Sequence, residues 1–144
     1  MTARTIRAII DGKDLISATA DMLVSDAARA MKERRTGAIL VLDGDKLAGI
    51  FTERDALFRV VAEGRDPNST TVADVMTRNP VTIHPDRPFE SALEIMHNGR
   101  FRHVPVVEGG RAIGMVSSRD AMGSELEQFM YTVIVEGQQR DILA

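Results

Sequence analysis

The sequence of 144 residues contains no cysteine and no tryptophan, and aromatic residues make up only 4% of it. Without cysteine the chain can form no disulfide framework, no thiolate zinc site and no cysteine nucleophile. No apolar run approaches the roughly 20 residues that span a bilayer. No apolar stretch of signal-peptide length follows the basic N-terminus. We therefore expect a cytoplasmic protein with no membrane partner.

Signatures of catalysis and of nucleic-acid binding are also missing. The net charge of −3 and the pI near 5.6 argue against a general nucleic-acid binder, which usually carries a basic face. There is no Gly-x-Ser-x-Gly elbow, no Walker loop and no dinucleotide glycine fingerprint. The three histidines, His84, His97 and His103, do not have metal-ligand spacing. The sequence thus predicts neither an enzyme nor a metal protein.

An internal repeat is the most informative feature that is present. The segment Gly49–Asp55 (Gly-Ile-Phe-Thr-Glu-Arg-Asp) recurs 65 residues later as Gly114–Asp120 (Gly-Met-Val-Ser-Ser-Arg-Asp), since 114 − 49 = 65. The same shift aligns residues 16–56 with 81–121 without a gap, with 10 identities in 41 positions. Such a repeat indicates two supersecondary units that pack with approximate two-fold symmetry and place two matching polar sites near their seam.

Each unit reads as β-α-β-β-α, so the predicted fold class is α+β with α/β-type layers and an added C-terminal helix. Pro105 favours an edge position or a strand start, because proline has no backbone N–H. The predicted divisions are repeat 1 at 10–66, a linker at 67–74, repeat 2 at 75–125 and a helical tail at 126–144. The predicted elements are extended segments at Leu15–Ala18 and Val81–Ile83, a helix at Ser25–Arg34, strands at Ala38–Leu42, Leu47–Phe51, Val104–Val107 and Ala112–Val116, and helices at Asp55–Ala62 and from Asp120 onward.

The tail has an apolar face at helical spacing. This face either covers its own domain or contacts a second subunit, and the sequence does not separate these two interpretations. Gly137 is a candidate interruption of the helix. The face consists of Leu126, Phe129, Met130, Val133 and Ile134.

The repeated hydroxyl and acid pairs, Thr52 with Asp55 and Ser117 with Asp120, allow two interpretations. A hydroxyl residue followed three places later by an acid resembles a capping box, which only satisfies free N–H groups at a helix start. Alternatively, a helix N-terminus with a hydroxyl favours a phosphate, and the acid can accept hydrogen bonds from a ribose diol. Two copies in register favour the second interpretation, a nucleoside phosphate site.

Basic residues near these motifs are candidates for neutralising phosphate charge. Arg102 and His103 belong to a basic loop that is either solvated or faces the second motif, whereas the first repeat has Gly37 and Ala38 at the matched positions. The second site should therefore hold anions better than the first. Arg54 and Arg119, which stand directly before the two aspartates, either contact phosphate, pair with the aspartate or face solvent.

The chain resembles a tandem pair of CBS domains, the arrangement called a Bateman module, over about residues 10–125. The resemblance depends on the duplicated Gly-apolar-x-Thr/Ser-x-x-Asp motif. It depends also on Val75-Met76-Thr77 before Pro80-Val81-Thr82, and on Arg102-His103-Val104-Pro105-Val106-Val107.

The resemblance implies an intramolecular pseudo-dimer whose two clefts bind adenosyl ligands: AMP first, then ATP, ADP or NAD, with S-adenosylmethionine also known in the family. It also implies a homodimer and an unidentified effector protein as partners. Ala18 and Ala38 offer the first cleft little polar recognition. The implied roles are ribose binding by Asp55 and Asp120, phosphate binding by Thr52, Ser117, Arg102, His103, Arg119 and Arg54, and an adenine pocket formed by Ile16, Ala18, Val81, Ile83, Val104 and Pro105.

The expected function is a regulatory module that senses nucleotide or energy state. The alternative is a ligand-free dimeric interaction module in which the hydroxyl and acid motifs only cap helices.

Overall fold

The computed structural model describes residues 3–143, with side-chain surroundings from residue 3 to residue 137. Ala144, the last residue of the predicted tail, lies outside the described residues. The first half of the chain contains α1 (Ile6–Ile10), β1 (Ser17–Thr19), α2 (Val24–Arg34), β2 (Ala38–Asp43), β3 (Lys46–Thr52) and α3 (Glu53–Asp55), which continues as a π-helical stretch, Ala56–Val61. The second half contains α4 (Val72–Val75), β4 (Thr77–Arg78), α5 (Phe89–Gly99), β5 (His103–Glu108), β6 (Arg111–Ser117), a 3₁₀ turn (Ser118–Asp120) and α6 (Gly123–Leu143).

The two repeats form two sheets, which confirms the predicted mixed α+β pair. The first sheet has the strand order β1-β2-β3-β4, with β1 parallel to β2 and the other neighbours antiparallel. The second sheet is the antiparallel pair β5-β6. Both hairpins carry a register shift at the matching place, after Val41 and after Val106, so the repeat extends to a shared irregularity.

The predicted extended segment Val81–Ile83 does not form a strand like β1, and Pro105 gives the reason. In the first repeat the Leu40 N–H donates to the Ile16 carbonyl (3.3 Å) and extends the pairing of β1 with β2. Pro105 occupies the position equivalent to Leu40 and has no N–H to donate. Only a single parallel bridge, from Ile83 to Val106, remains on that side of β5.

The short helices α1 and α4 are exchanged between the repeats. Helix α1 precedes the first repeat, but the Ile6 N–H donates to the Arg87 carbonyl (2.9 Å), and Ile6 lies in the core of the second repeat. Helix α4 begins within the predicted linker, yet the Val72 N–H donates to the Met22 carbonyl (2.9 Å), and Val72 lies in the core of the first repeat. Each core is therefore completed by residues that come before the opposite repeat in the chain.

The repeated glycines allow these exchanged helices and the residues after them to approach the returning strands. A Cβ atom on Gly49 would lie 2.7 Å from the Thr77 carbonyl oxygen, and one on Gly114 would lie 3.0 Å from Ile10 Cγ2. Both glycines are buried within strands. Their role is therefore close backbone approach.

A third apolar cluster lies at the seam between the sheets and joins the two repeats. Its four buried residues are Ala38, Leu40, Ile50 and Ala112. The Ala112 N–H also donates to the Asp45 carbonyl (3.0 Å) across the seam. Burial of this apolar surface holds the two repeats together.

The elements after the two motifs differ from the predicted helices. After Thr52 the chain forms only three α-helical residues before the π-helical stretch. After Ser117 it forms a 3₁₀ turn, and α6 begins at Gly123 instead of Asp120. The helix α6 continues past Gly137, so that glycine does not interrupt it. No helix within residues 3–143 combines the length and apolarity needed to cross a membrane.

The apolar face of α6 is divided between the domain and solvent. Phe129 is 6% exposed in the core of the second repeat, and Val133 packs partly against that core. Leu126, Met130 and Ile134 are about half exposed, at 47%, 50% and 54%. The tail therefore covers its own domain with one part of the face and leaves the other part open.

Candidate functional site

Two clefts lie along the seam, and each contains one copy of the repeated motif. The Asp120 cleft has a volume of about 370 Å³ and contains Ser117 to Asp120. The Asp55 cleft has a volume of about 610 Å³ and contains Thr52 to Asp55. Both volumes lie in the range of small-molecule sites.

The clefts are related by the 65-residue repeat almost position for position. Each is built from the motif of one repeat and from the opening segment and the loop after the helix of the other repeat. The matched wall pairs are Asp14/Asn79, Leu15/Pro80, Ile16/Val81, Arg34/Gly99, Arg35/Arg100, Thr36/Phe101, Gly37/Arg102, Met115/Ile50, Ser117/Thr52, Ser118/Glu53, Arg119/Arg54 and Asp120/Asp55.

The Asp55 carboxylate is buried, at 5% exposure, and is held by hydrogen bonds within the protein. Its Oδ2 accepts from the Thr52 N–H (3.0 Å) and the Thr52 hydroxyl (3.1 Å), while the Asp55 N–H donates back to Thr52 Oγ1 (3.2 Å). Its Oδ1 accepts from the Thr77 hydroxyl (3.2 Å) and lies 3.6 Å from Arg59 Nε. This is a full capping box with additional partners, so both carboxylate oxygens are occupied.

The Asp120 carboxylate has fewer fixed partners. Its Oδ2 accepts from the Ser117 N–H (2.7 Å), as in the first motif. Its Oδ1 accepts from Lys13 Nζ at 2.5 Å. The Lys13 side chain is 50% exposed and that of Asp120 is 17% exposed. One oxygen of Asp120 is thus held only by a flexible side chain that reaches solvent.

His103 and Arg102 lie on the wall that the two clefts share, together with Gly37 and Glu53. His103 is the cross-strand partner of Ser117, which brings it to the second motif as predicted. Burial lowers the pKa of His103, and the nearby Arg119 and Arg102 act in the same direction, while Glu53 opposes them. His103 is therefore neutral at pH 7, and it gains charge only in more acidic solution or next to an anion.

The two arginines before the aspartates have different surroundings. Arg119 lines the Asp120 cleft and donates from Nη1 to the Arg35 carbonyl (3.2 Å) across the seam. The Arg54 guanidinium carbon stands 5.4 Å from the centre of the Phe58 ring at the edge of the Asp55 cleft. Arg119 therefore reaches from one repeat to the other, whereas the Arg54 side chain stacks on its own repeat.

The residues expected to surround adenine separate into two groups. Ile16 lines the Asp120 cleft and Val81 lines the Asp55 cleft, where it is 52% exposed. The other four are buried in the domain outside the walls of both clefts: Ala18, Ile83, Val104 and Pro105.

Sequence reasoning missed Lys13 and Thr77, which contact the two aspartates. Both follow an exchanged helix, Lys13 after α1 and Thr77 after α4. The gap-free alignment begins at residue 16 and so excludes both residues. The helix N-terminus expected for phosphate at the second motif is a three-residue 3₁₀ turn, so cationic side chains provide the main positive charge there.

A cluster of possible metal ligands outside the clefts is explained by ion pairs. Atoms of His84, Asp86 and Glu108 lie within 4.8 Å of one another. The Arg7 guanidinium lies 2.9 Å from Asp86 and 2.5 Å from Glu108, and its hydrogen bond holds the pKa of Glu108 below the ordinary value. A cation already neutralises these carboxylates.

Comparison with known families matches the CBS domain twice, over residues 6–62 and 72–127. The chain belongs to the CBS-domain family. This confirms the resemblance indicated by the motifs, and the matched ranges include both exchanged helices, α1 and α4.

Solved CBS structures and a curated relative extend this result. A protein with CBS domains from Burkholderia ambifaria is 33% identical, with a TM-score of 0.76, and the match covers 92% of this chain and 95% of that one. A CBS domain protein from Pyrobaculum aerophilum, complexed with AMP, shares the fold at 21% identity and a TM-score of 0.79, with coverage of 89% and 99%. The Arabidopsis thaliana CBS domain-containing protein CBSCBSPB2 is 46% identical over 94 residues, which are 65% of this chain but only 18% of that protein.

Proposed function

We propose that this CBS pair is a regulatory module that binds an adenosine nucleotide in the Asp120 cleft and catalyses no reaction. The observation that carries the proposal is the position of Asp120. One of its oxygens meets only the half-exposed Lys13, opposite basic side chains supplied by the other repeat and by β5. AMP is the first candidate ligand, followed by ATP, ADP and NAD.

Each part of a nucleotide has a matching group in this cleft. The Asp120 carboxylate accepts hydrogen bonds from the ribose hydroxyls. Arg102, Arg119, His103 and the Ser117 hydroxyl bind phosphate oxygens, and arginine does so with two parallel donors. Ile16 provides an apolar surface for the base.

The Asp55 cleft is proposed as the weaker nucleotide site. Its acid is committed to Thr52, Thr77 and Arg59, so a ribose would have to displace several partners instead of one side chain. Thr52 and Arg54 remain its candidate phosphate contacts. The Asp55 cleft keeps Val81 and Phe101 as apolar walls.

Regulation would act by a shift between cleft geometries. A ligand that bridges Asp120 of the second repeat and Ile16 of the first stabilises the arrangement in which these groups are close. Such a ligand has a regulatory effect only if it binds that arrangement more tightly than the arrangement in which these groups are apart.

Thermal unfolding with and without millimolar AMP, ADP, ATP, NAD and S-adenosylmethionine tests the proposal. A ligand that binds only the folded state adds RT ln(1 + [L]/Kd) to the free energy of unfolding, roughly 2.7 kcal/mol at 100-fold saturation.

The matched variants for testing the residue roles are Asp120→Asn and Asp55→Asn, in which the amide oxygen can still accept the cap hydrogen bond. Titration calorimetry should show an affinity loss of about tenfold or more for Asp120→Asn, and a smaller loss for Asp55→Asn. Equal affinities in both variants and in the wild type would refute the assigned roles.

The second candidate function is a ligand-free interaction module, and the capping boxes at Thr52 with Asp55 and at Ser117 with Asp120 favour it. On this view Asp120→Asn changes stability but no ligand response. An absence of any shift with all five ligands would support this candidate over the sensor.

We also propose that the partner is a second copy of the chain. The segments after the two motifs carry exposed apolar side chains at equivalent places in the repeat, including Leu57 and Val61 in the first and Met122 and Leu126 in the second. Symmetry-related patches of this kind suit an isologous interface. Sedimentation equilibrium should give a dimer, and Val61→Glu with Leu126→Glu should give a monomer with an unchanged circular dichroism spectrum.

A further inference from the structure

Lys13 is placed in the Asp120 cleft by the turn that follows α1. Gly12 adopts a positive φ of 73°, which glycine permits at low cost. The Lys13 N–H then donates to the Ile10 carbonyl (3.1 Å) and closes the turn. The Lys13 side chain consequently extends from an exchanged helix to the acid of the repeat on which that helix packs.

The ammonium of Lys13 competes directly with a ribose. Oδ2 of Asp120 is committed to the Ser117 N–H, so Oδ1 is the oxygen that remains for a ligand. Lys13 Nζ lies 2.5 Å from that oxygen. A diol can bind Oδ1 with full strength only after Lys13 has moved away.

Lys13 is also one of several cations around this cleft. Arg34, Arg35, Arg102 and Arg119 line the same walls, while the acidic groups are Asp14, Glu53 and Asp120. The Lys13 side chain is long and half exposed, so it can leave Asp120 and still remain close to the cleft. Because ion pairs at such exposure contribute little to stability, a ligand can displace it.

We propose that Lys13 is a specificity-determining residue that makes the Asp120 cleft select phosphorylated nucleosides over neutral ones. A neutral nucleoside must break the Lys13–Asp120 pair and leaves the ammonium without a partner. A nucleotide breaks the same pair but supplies a phosphate that the displaced ammonium can approach. This inference depends on the proposed nucleotide-binding function of the cleft.

The Asp55 cleft shows why this device belongs to one cleft. The residue equivalent to Lys13 in the repeat is Arg78, whose side chain donates to the Ala73 carbonyl (3.1 Å). Thr77, one position earlier, instead donates its hydroxyl to Asp55 Oδ1 (3.2 Å). A threonine carries no charge that could attract a phosphate. The exchanged segments thus give Asp55 a neutral donor and Asp120 a mobile cation. The Arg59 side chain, which lies 3.6 Å from Asp55 Oδ1, comes from the same repeat as Asp55 and does not line either cleft.

The test is titration calorimetry of the full chain with adenosine and with AMP. Lys13→Met removes the charge and keeps an unbranched side chain, while Lys13→Arg keeps the charge. Lys46→Met is the matched control, since it removes the same charge from an exposed residue outside both clefts.

We expect Lys13→Met to raise the affinity for adenosine about two- to fivefold, because adenosine then no longer has to break an exposed ion pair. The AMP affinity should fall, so the preference for AMP narrows. Lys13→Arg and Lys46→Met should keep the wild-type preference.

The outcomes separate this inference from the function on which it depends. Wild-type binding of AMP with an unchanged AMP-to-adenosine ratio in Lys13→Met would overturn the role of Lys13 and leave the nucleotide site intact. Binding of adenosine by Lys13→Met but not by the wild type would support the inference in its strongest form. No binding of either compound by any variant would overturn both proposals.

Discussion

The Asp55 and Asp120 clefts have the same wall positions and different uses for their acids. In the Asp55 cleft the carboxylate is a buried structural group with hydrogen bonds to Thr52 and Thr77. In the Asp120 cleft the same motif leaves one oxygen facing a half-exposed lysine. Both copies of the motif form a capping box, and only in the second copy does one carboxylate oxygen remain for a candidate ligand. The side chains that make this difference lie outside the motif.

The largest expected difference between the clefts is in stability. Asp55→Ala leaves three half-buried donors of Thr52 and Thr77 without an acceptor, so we expect a loss of about 3 kcal/mol in the free energy of unfolding. Asp120→Ala removes one backbone hydrogen bond and an exposed ion pair, so about 1 kcal/mol is expected. Urea denaturation monitored by circular dichroism measures both values. Equal losses would mean that the two acids do not differ in structural role.

The next largest difference in stability is expected between substitutions of the two repeated glycines, Gly49 and Gly114. A Cβ on Gly49 meets the backbone carbonyl of Thr77 at 2.7 Å, whereas one on Gly114 meets the side chain of Ile10 at 3.0 Å. Backbone cannot rotate away as a side chain can, so Gly49→Ala should cost about 1–3 kcal/mol and Gly114→Ala less. Urea midpoints decide the order. A larger loss for Gly114→Ala would show that α1 is held more rigidly than β4.

His103 distinguishes the repeats through pH, because Ala38 occupies the matched position in the first. Its pKa is lowered by burial, so the folded state binds a proton less readily than the unfolded state does. Stability from the neutral form is therefore complete above about pH 6.5 and declines as the pH falls below that value. Urea midpoints at pH 7.5 and pH 5.5 should differ less in His103→Asn than in the wild type. An identical difference in both proteins would contradict this role.

The smallest effect concerns the strand that Pro105 shortens. Pro105→Val restores an N–H opposite the Val81 carbonyl, as at Leu40 in the first repeat, with a change in stability of about 1 kcal/mol or less. Hydrogen exchange should then show a new protected amide at position 105. Fast exchange at that amide would mean that other contacts keep Val81 away from β5.

The periodicity of the sequence was sufficient to predict the two repeats, their hairpins and the long helices. Leu40 and its apolar neighbours indicate a buried strand because continuous apolar runs occur where both faces are covered. The position of Arg102 and His103 also follows, since Arg102 directly precedes β5 and His103 begins it, opposite the second motif at the end of β6. These features depend on local pattern, which a sequence displays directly.

The exchanged helices and their contacts could not be predicted in this way. Helix α1 has only five residues and α4 only four, so neither carries enough apolar period to be recognised. Their destination is set by tertiary packing on the opposite repeat. The contacts of Lys13 with Asp120 and of Thr77 with Asp55 follow from that packing. The difference between the two aspartates therefore could not be predicted from local pattern either.

The exchange of α1 and α4 also determines what counts as an independent piece of this molecule. A fragment that ends in the loop at Gly64 lacks Val72 and Val75 for its own core and carries Ile6 and Ile9, which complete the core of the other half. A fragment that begins after that loop lacks Ile6 and Ile9 for its own core and carries Val72 and Val75, which belong to the core of the first half. Each half therefore needs residues from the other half to complete its core. The smallest unit with two complete cores is the linked pair of repeats.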